Sequence, residues 1–146
     1  MGYFGALDIG ASALTAQRLR MDTISQNIAN ANTTRTENGT PYRRREVIFE
    51  EKPGTPFSEY LTDSSKERFI GKGVKVSKIV EDSSPFKRVY DPGNPDADTD
   101  GYVQMPNVDI ITEMVNMISA TRAYEANVTS INSTKSMAMK ALEIGR

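Results

Sequence analysis

The chain has 146 residues, with 18 Lys and Arg against 19 Asp and Glu, for a formal net charge of −1. That length suits one modest domain or a small domain with long appendages, and the charge balance gives no electrostatic pull toward nucleic acid or an anionic membrane. Cysteine, histidine and tryptophan are absent, which removes disulfides, thiolate and imidazole metal sites, a cysteine nucleophile and the commonest general base.

No stretch approaches the roughly 20 apolar residues needed to span a bilayer. The start, Met1-Gly-Tyr-Phe-Gly-Ala-Leu-Asp8, has no basic stretch followed by an apolar block, so a cleaved secretion signal is not expected. Residues 4–30 predict an amphipathic helix. Leu7, Ala11, Leu14, Gln17, Met21, Ile24, Ile28 and Ala31 alternate steps of four and three, the spacing that keeps one stripe on a helical partner. Asn30 and Asn32 follow in an uncharged, amide-rich run and suit a helix end, because Asn tolerates left-handed geometry.

The middle has another character. Asn38-Gly39 signals a tight turn, and residues 42–51 predict a half-buried strand in which Val47 and Phe49 alternate with charges. Pro53, Gly54 and Pro56 break it, and residues 61–68 predict a polar loop. Residues 71–80 predict a second strand with Val74, Val76 and Val80 on one side, and residues 86–90 a short third. From 91 to 107 the chain carries Pro92, Pro95, Pro106, Gly93 and Gly101, so it is expected to be extended or turning. So few large apolar side chains make a thin core.

Residues 107–146 then predict one long helix, uninterrupted by proline or glycine before Gly145. Its stripe is Ile110, Met114, Met117, Thr121, Tyr124, Val128, Ile131, Lys135, Ala138 and Leu142, widened at the start by Ile111, Val115 and Ile118. Residues 126–134 hold no charge. A helix side made of amides and hydroxyls instead of Lys and Glu suits a face that meets protein or a confined polar space, and a surface helix of weakly helical composition is the plainer alternative. The expected fold class is therefore α+β: two long terminal helices pairing as a coiled-coil-like layer, with a small β-rich middle of hairpins and extended loops.

Three motifs bear on chemistry. Asp96, Asp98, Asp100 and Gly101 match the opening of a calcium-binding loop, yet the twelfth position is Asn107 where a bidentate Glu belongs. A calcium-responsive binding module is the alternative reading, and an Asp-rich turn bonding its own backbone is the plainer one. Arg43-Arg44-Arg45 is followed by Glu46, Glu50 and Glu51 with no interleaved aromatic residues, so a solvated strand, or one salt-bridged between subunits, is expected rather than nucleic-acid contact. Gly71-Lys-Gly lacks the further glycines of a phosphate loop. No catalytic constellation, metal site or cofactor site is expected.

Ser25-Gln-Asn-Ile-Ala-Asn-Ala-Asn-Thr-Thr34 resembles the amino-terminal signature of bacterial flagellar rod and hook proteins. Val89-Tyr-Asp-Pro-Gly-Asn-Pro-Asp-Ala-Asp98, Gly101-Tyr-Val-Gln-Met-Pro-Asn-Val108, Glu113-Met-Val-Asn-Met-Ile118 and Ala123-Tyr-Glu-Ala-Asn127 resemble the proximal-rod type within that family. The likeness covers both ends and the run from Gly71 onward, and is loose over residues 36–70. The matching motif residues are Asn27, Asn30, Asn32, Thr33, Asp91, Pro92, Asp96, Asp98, Gly101, Tyr102, Pro106, Asn107, Tyr124, Glu125 and Asn127. Asn94 departs from the family pattern, which has histidine there.

The resemblance implies a non-enzymatic axial subunit of the flagellar basal body, exported without a cleaved signal through the flagellar type III apparatus. Its terminal helices would form an inner layer around a central channel. Its partners would be copies of itself, other rod proteins and the membrane-ring or rod-adaptor base, with no nucleic acid and no small-molecule substrate. Another rod or hook component of the same family is the neighbouring possibility. The expected divisions are 1–34, 35–106 and 107–146. The residues expected to carry helix packing and subunit contact are Leu14, Met21, Ile24, Ile28, Ile111, Met114, Ile118, Tyr124, Val128 and Ile131.

Overall fold

The computed structural model describes residues 3–52 and 72–144. Its elements in chain order are α1 (Tyr3–Ala29), β1 (Arg45–Glu51), β2 (Val74–Glu81), β3 (Lys87–Tyr90), β4 (Tyr102–Met105) and α2 (Ile110–Ile144). Strand β1 pairs with β2 and β3 with β4, so a long helix stands toward each end of an α+β chain with short paired strands between, as expected. The expected breaks at Pro53, Gly54 and Pro56 and the expected loop at 61–68 lie outside the described residues.

Both helices have definable ends. Asn30 follows the last residue of α1: its backbone N–H reaches the Gln26 carbonyl at 3.0 Å, and its side-chain amide gives the same oxygen a second hydrogen bond at 2.9 Å. Asp109 opens α2. Its Oδ2 accepts the Thr112 hydroxyl at 2.5 Å and the Thr112 N–H at 3.4 Å, while its carbonyl accepts the Glu113 N–H at 2.9 Å, an N-cap. The 35 residues of α2 extend about 50 Å at 1.5 Å per residue. No helix among the described residues is long and apolar enough to cross a membrane.

The chain divides into two compact units. One comprises Met1–Leu19, Ile48–Lys78 and Thr121–Arg146. Within it α1 meets α2 closely enough that a Cβ on Gly10 would lie 2.7 Å from Cγ1 of Ile131. The Ser12 hydroxyl joins α1 to β2, accepting the Val74 N–H at 3.2 Å while donating to the Ile9 carbonyl at 2.7 Å. Ala16 is buried beside it, and Tyr124, Asn127, Val128, Ile131, Thr134 and Ala138 are half-buried along α2.

The other unit comprises Arg20–Val47 and Ile79–Ala120. Here Ile24, Ala31, Tyr42, Val103, Val108 and Ala120 form the buried apolar set. The β3–β4 hairpin is antiparallel, pairing Val89 with Val103 and Tyr90 with Tyr102. Val103 turns inward and is buried, whereas Tyr90 and Tyr102 meet edge to face on the outer side at 5.3 Å between ring centroids. In this unit α2 is turned about its axis relative to the apolar stripe read from the sequence. Glu113 and Ala120 are the buried positions, and Ile110, Met114 and Ile118 stand exposed. The cause is that Glu113 finds polar partners inside, and a rule that counts only apolar residues does not register them.

Candidate functional site

The buried centre of the second unit is polar. Asn27, fully buried near the end of α1, uses every hydrogen-bonding position of its amide. Its Nδ2 donates to Oε2 of Glu113 at 2.8 Å and to the Arg45 carbonyl at 2.9 Å. Its Oδ1 accepts the Tyr42 hydroxyl and the Arg45 N–H, each at 3.0 Å. An amide with two donors and two acceptor sites is thereby saturated, so its burial costs little.

Glu113 is a fully buried carboxylate and needs a cation. Arg44 supplies it, with Nε 2.8 Å from Oε1. The same guanidinium reaches Glu46 and stands 3.7 Å from Asp82. Burial pulls the Arg44 pKa down, but the hydrogen bond and charge of Glu113, then those of Glu46, outweigh it and leave it above the ordinary value. The chain is fixed around this pair by Asn107. Its Oδ1 accepts the Arg44 N–H at 2.9 Å, and its Nδ2 donates to the carbonyls of Asp82 at 3.1 Å and Ser84 at 3.3 Å. Of these residues the family motif had named Asn27 and Asn107. Glu113 stood at the head of the Glu113–Ile118 stretch that carried the resemblance and Arg44 within the arginine run, but neither was named as a buried residue, and Tyr42 carried no signal.

The arginine run is absorbed by the fold. Arg44 turns into the knot, Arg43 lies over the Phe86 ring at 4.4 Å, and Arg45 lies over Tyr42 at 5.6 Å while pairing with Glu81 at 3.4 Å. These are intramolecular partners, unlike a patch that awaits phosphates.

The Asp-rich segment is also turned onto its own chain. Asp91 accepts the Gly93 N–H at 3.3 Å and Asp98 the Thr99 N–H at 2.9 Å. Asp96 accepts the Thr34 hydroxyl at 2.7 Å, and Arg35 stands 3.8 Å away, tying this loop to the end of the amino-terminal signature. Gly101 has φ +79°, and any Cβ there would lie 2.9 Å from the Tyr90 ring, so glycine is required. Among the described residues no three acidic side chains converge on a point where a metal ion could sit. Pro106 is buried and Pro92 and Asn32 are exposed. Asn30 accepts the Thr33 hydroxyl at 3.2 Å, and Asn127 donates to the Ala123 carbonyl at 2.8 Å, while Glu125 is exposed.

The ten packing positions fall into two groups. Ile24 is buried, and Leu14, Met21, Ile28, Tyr124, Val128 and Ile131 are half-buried along the two helices. Ile111, Met114 and Ile118 are instead 74%, 55% and 54% exposed, and Val115 beside them 60%. Positions 111, 114, 115 and 118 share one helix face, so these four side chains make a continuous apolar row opposite buried Glu113. Single exposed apolar residues mean little, whereas a contiguous row of large ones marks an interaction surface.

The end of α1 and the start of α2 meeting at a saturated polar knot, with an apolar row exposed beside it, suit a structural subunit of an assembly. Comparison with known proteins specifies which one. Residues 7–35 match the family model described as flagella basal body rod protein, and residues 99–144 match that of the flagellar basal body rod FlgEFG protein C-terminal region. The chain is 56% identical to the flagellar basal-body rod protein FlgC of Bacillus subtilis, with 100% of both chains covered. It is 49% identical to FlgC of Borreliella burgdorferi, covering 99% of this chain and 98% of the relative, and 42% identical to that of Salmonella typhimurium over the whole of both. The chain belongs to the FlgC family of flagellar basal-body rod proteins and is a structural subunit of the flagellar basal body.

Proposed function

We propose that this subunit stacks helically with copies of itself and with other rod proteins around a central export channel, and that it transmits torque through these contacts without catalysing a reaction. The observation that carries the reading is the apolar row of Ile111, Met114, Val115 and Ile118, exposed on α2. A row of this kind is poorly suited to permanent exposure to water and well suited to a neighbouring subunit. The uncharged, exposed Thr129, Ser130, Asn132 and Ser133 further along α2 suit a second neighbour or the channel wall. Passage across the cytoplasmic membrane by the flagellar type III apparatus, and seating on the membrane-ring or adaptor base, complete the proposal.

The test is substitution on the row. Met114→Asp and Ile118→Asp replace exposed side chains, so the purified chains are expected to keep the helical signal of the wild type. Cells carrying either as their sole copy are expected not to swim. Normal swimming with both variants would sink the proposal. Ile24→Asp buries a charge at a position 5% exposed and is expected to lose the fold itself, so it is the control that separates folding from assembly.

A further inference from the structure

One of the two compact units carries a groove that fits the row carried by the other. The groove, about 250 Å³, is lined by Ser12, Thr15, Ala16 and Leu19 of α1 and by Val74 and Val76 of β2. Its α1 wall has the spacing 12, 15, 16, 19, and the exposed row of α2 has the spacing 111, 114, 115, 118. Both are one helix face over two turns, about 10 Å long at 1.5 Å per residue. They differ in size. The wall is mostly small side chains, and the row is Ile, Met, Val and Ile, which is the pairing that lets a ridge of one helix enter a groove beside another.

Charge agrees with shape. Lys52 and Lys75 stand at the groove, the second paired with Glu50 at 3.4 Å, so Lys52 offers the complement to exposed Asp109, next to which the row begins at the start of α2.

We propose that the α2 row of one copy seats in the α1–β2 groove of a second copy of this chain. This rests on the rod reading above and names one contact within it. The two surfaces are different patches of the same chain, so the contact is heterologous. Repeated, it yields an open helical array or a ring rather than a closed two-fold dimer.

The absence of native cysteine gives a direct test. Two full-length copies with tags of different size are expressed in cells lacking the native chain, one with Val115→Cys and the other with Leu19→Cys. Basal bodies are isolated and oxidised. The expected result is a band at the summed mass of the two tagged chains, absent when Leu19→Cys is replaced by Ser130→Cys. The milder pair Met114→Cys with Thr15→Cys, both at exposed positions, is expected to give the same product.

If the cells swim and both chains are recovered in basal bodies, yet neither pair cross-links, the groove assignment is overturned and the rod reading stands. If cells lacking the chain altogether swim normally, the rod reading itself fails. Equal cross-linking of Val115→Cys to Leu19→Cys and to Ser130→Cys would also overturn the assignment, since it would show a surface without a seat.

Discussion

The Asn27 amide donates to the buried Glu113 carboxylate at 2.8 Å across 86 residues of sequence. This bond ties the end of α1 to the first turns of α2, and Arg44, 2.8 Å from the other carboxylate oxygen, makes the burial tolerable. Removing the cation leaves an unpaired buried charge, so Arg44→Ala is expected to cost about 3–5 kcal/mol. The double replacement Arg44→Met with Glu113→Gln removes both charges while keeping an acceptor for the Asn27 amide, and is expected to cost less than Arg44→Ala alone. Urea midpoints for the three chains check the order. A loss below about 1 kcal/mol for Arg44→Ala would mean that the carboxylate is hydrated rather than held by the arginine.

Tyr42 gives the knot an alkaline dependence. Burial pushes its pKa above the ordinary 10.0, with Arg45 opposing, and its hydroxyl donates to Asn27 Oδ1. A raised folded-state pKa means that the protonated form is favoured in the fold. That contribution is fully present below the unfolded value near 10.0 and is lost as pH rises through the higher folded value. Tyr42→Phe removes the donor, and is expected to cost about 0.5–1.5 kcal/mol at pH 7. The gap between the two chains should close as pH passes through the alkaline range. Parallel unfolding curves from pH 7 to 11 measure it, and a constant gap would show that the hydroxyl does not titrate with folding.

Much of the architecture is legible in the sequence, for physical reasons. Steps of four and three without proline mark both helices, and α1 ends one residue from the expected boundary at Asn30, though not through the left-handed geometry expected there, since no non-glycine residue among those described has a positive φ. Val47 and Phe49, flanked by Glu46 and Glu50 with exposed Ile48 between them, are the half-buried positions of β1, as expected. Strand β4 was hidden, since Tyr102-Val-Gln-Met105 sits among prolines and glycines and shows itself only when paired with β3. The knot was hidden for a different reason. Glu113, Arg44 and Tyr42 are ordinary surface types singly, and their burial follows from mutual satisfaction across three separate segments, which no local period encodes. The apolar row was visible as a widening of the stripe at Ile111, Val115 and Ile118. Which side faced out depended on where Glu113 could be paired.

Asp109 couples the start of α2 to acid. The Thr112 hydroxyl holds its carboxyl below the usual range, so the cap is present above the unfolded pKa, near 3.8, and is lost as pH falls through the lower folded value. Hydrogen exchange at the Thr112 and Glu113 amides is therefore expected to lose protection in acid. Asp109→Asn keeps an acceptor that does not titrate, and should hold that protection through the same range. Identical acid profiles for the two chains would show that the cap contributes nothing to this end of the helix.

The contact between Gly10 and Ile131 predicts a change of sign. Replacing a helical glycine by alanine is ordinarily stabilising by about 1 kcal/mol. Here the new Cβ would lie 2.7 Å from Cγ1 and 3.0 Å from Cδ1 of Ile131, so the side chain must leave its place or the helices must part. Overpacking of this kind costs about 1–3 kcal/mol, enough to cancel or reverse the gain. Gly10→Ala is therefore expected to be neutral or destabilising in the wild-type chain. In an Ile131→Ala background both clashing atoms are gone, and the same substitution should stabilise by up to about 1 kcal/mol. Thermal midpoints of the four chains close the cycle. Stabilisation by Gly10→Ala in both backgrounds would mean that α1 and α2 do not approach as closely at this position as the Gly10 backbone and Ile131 side chain indicate.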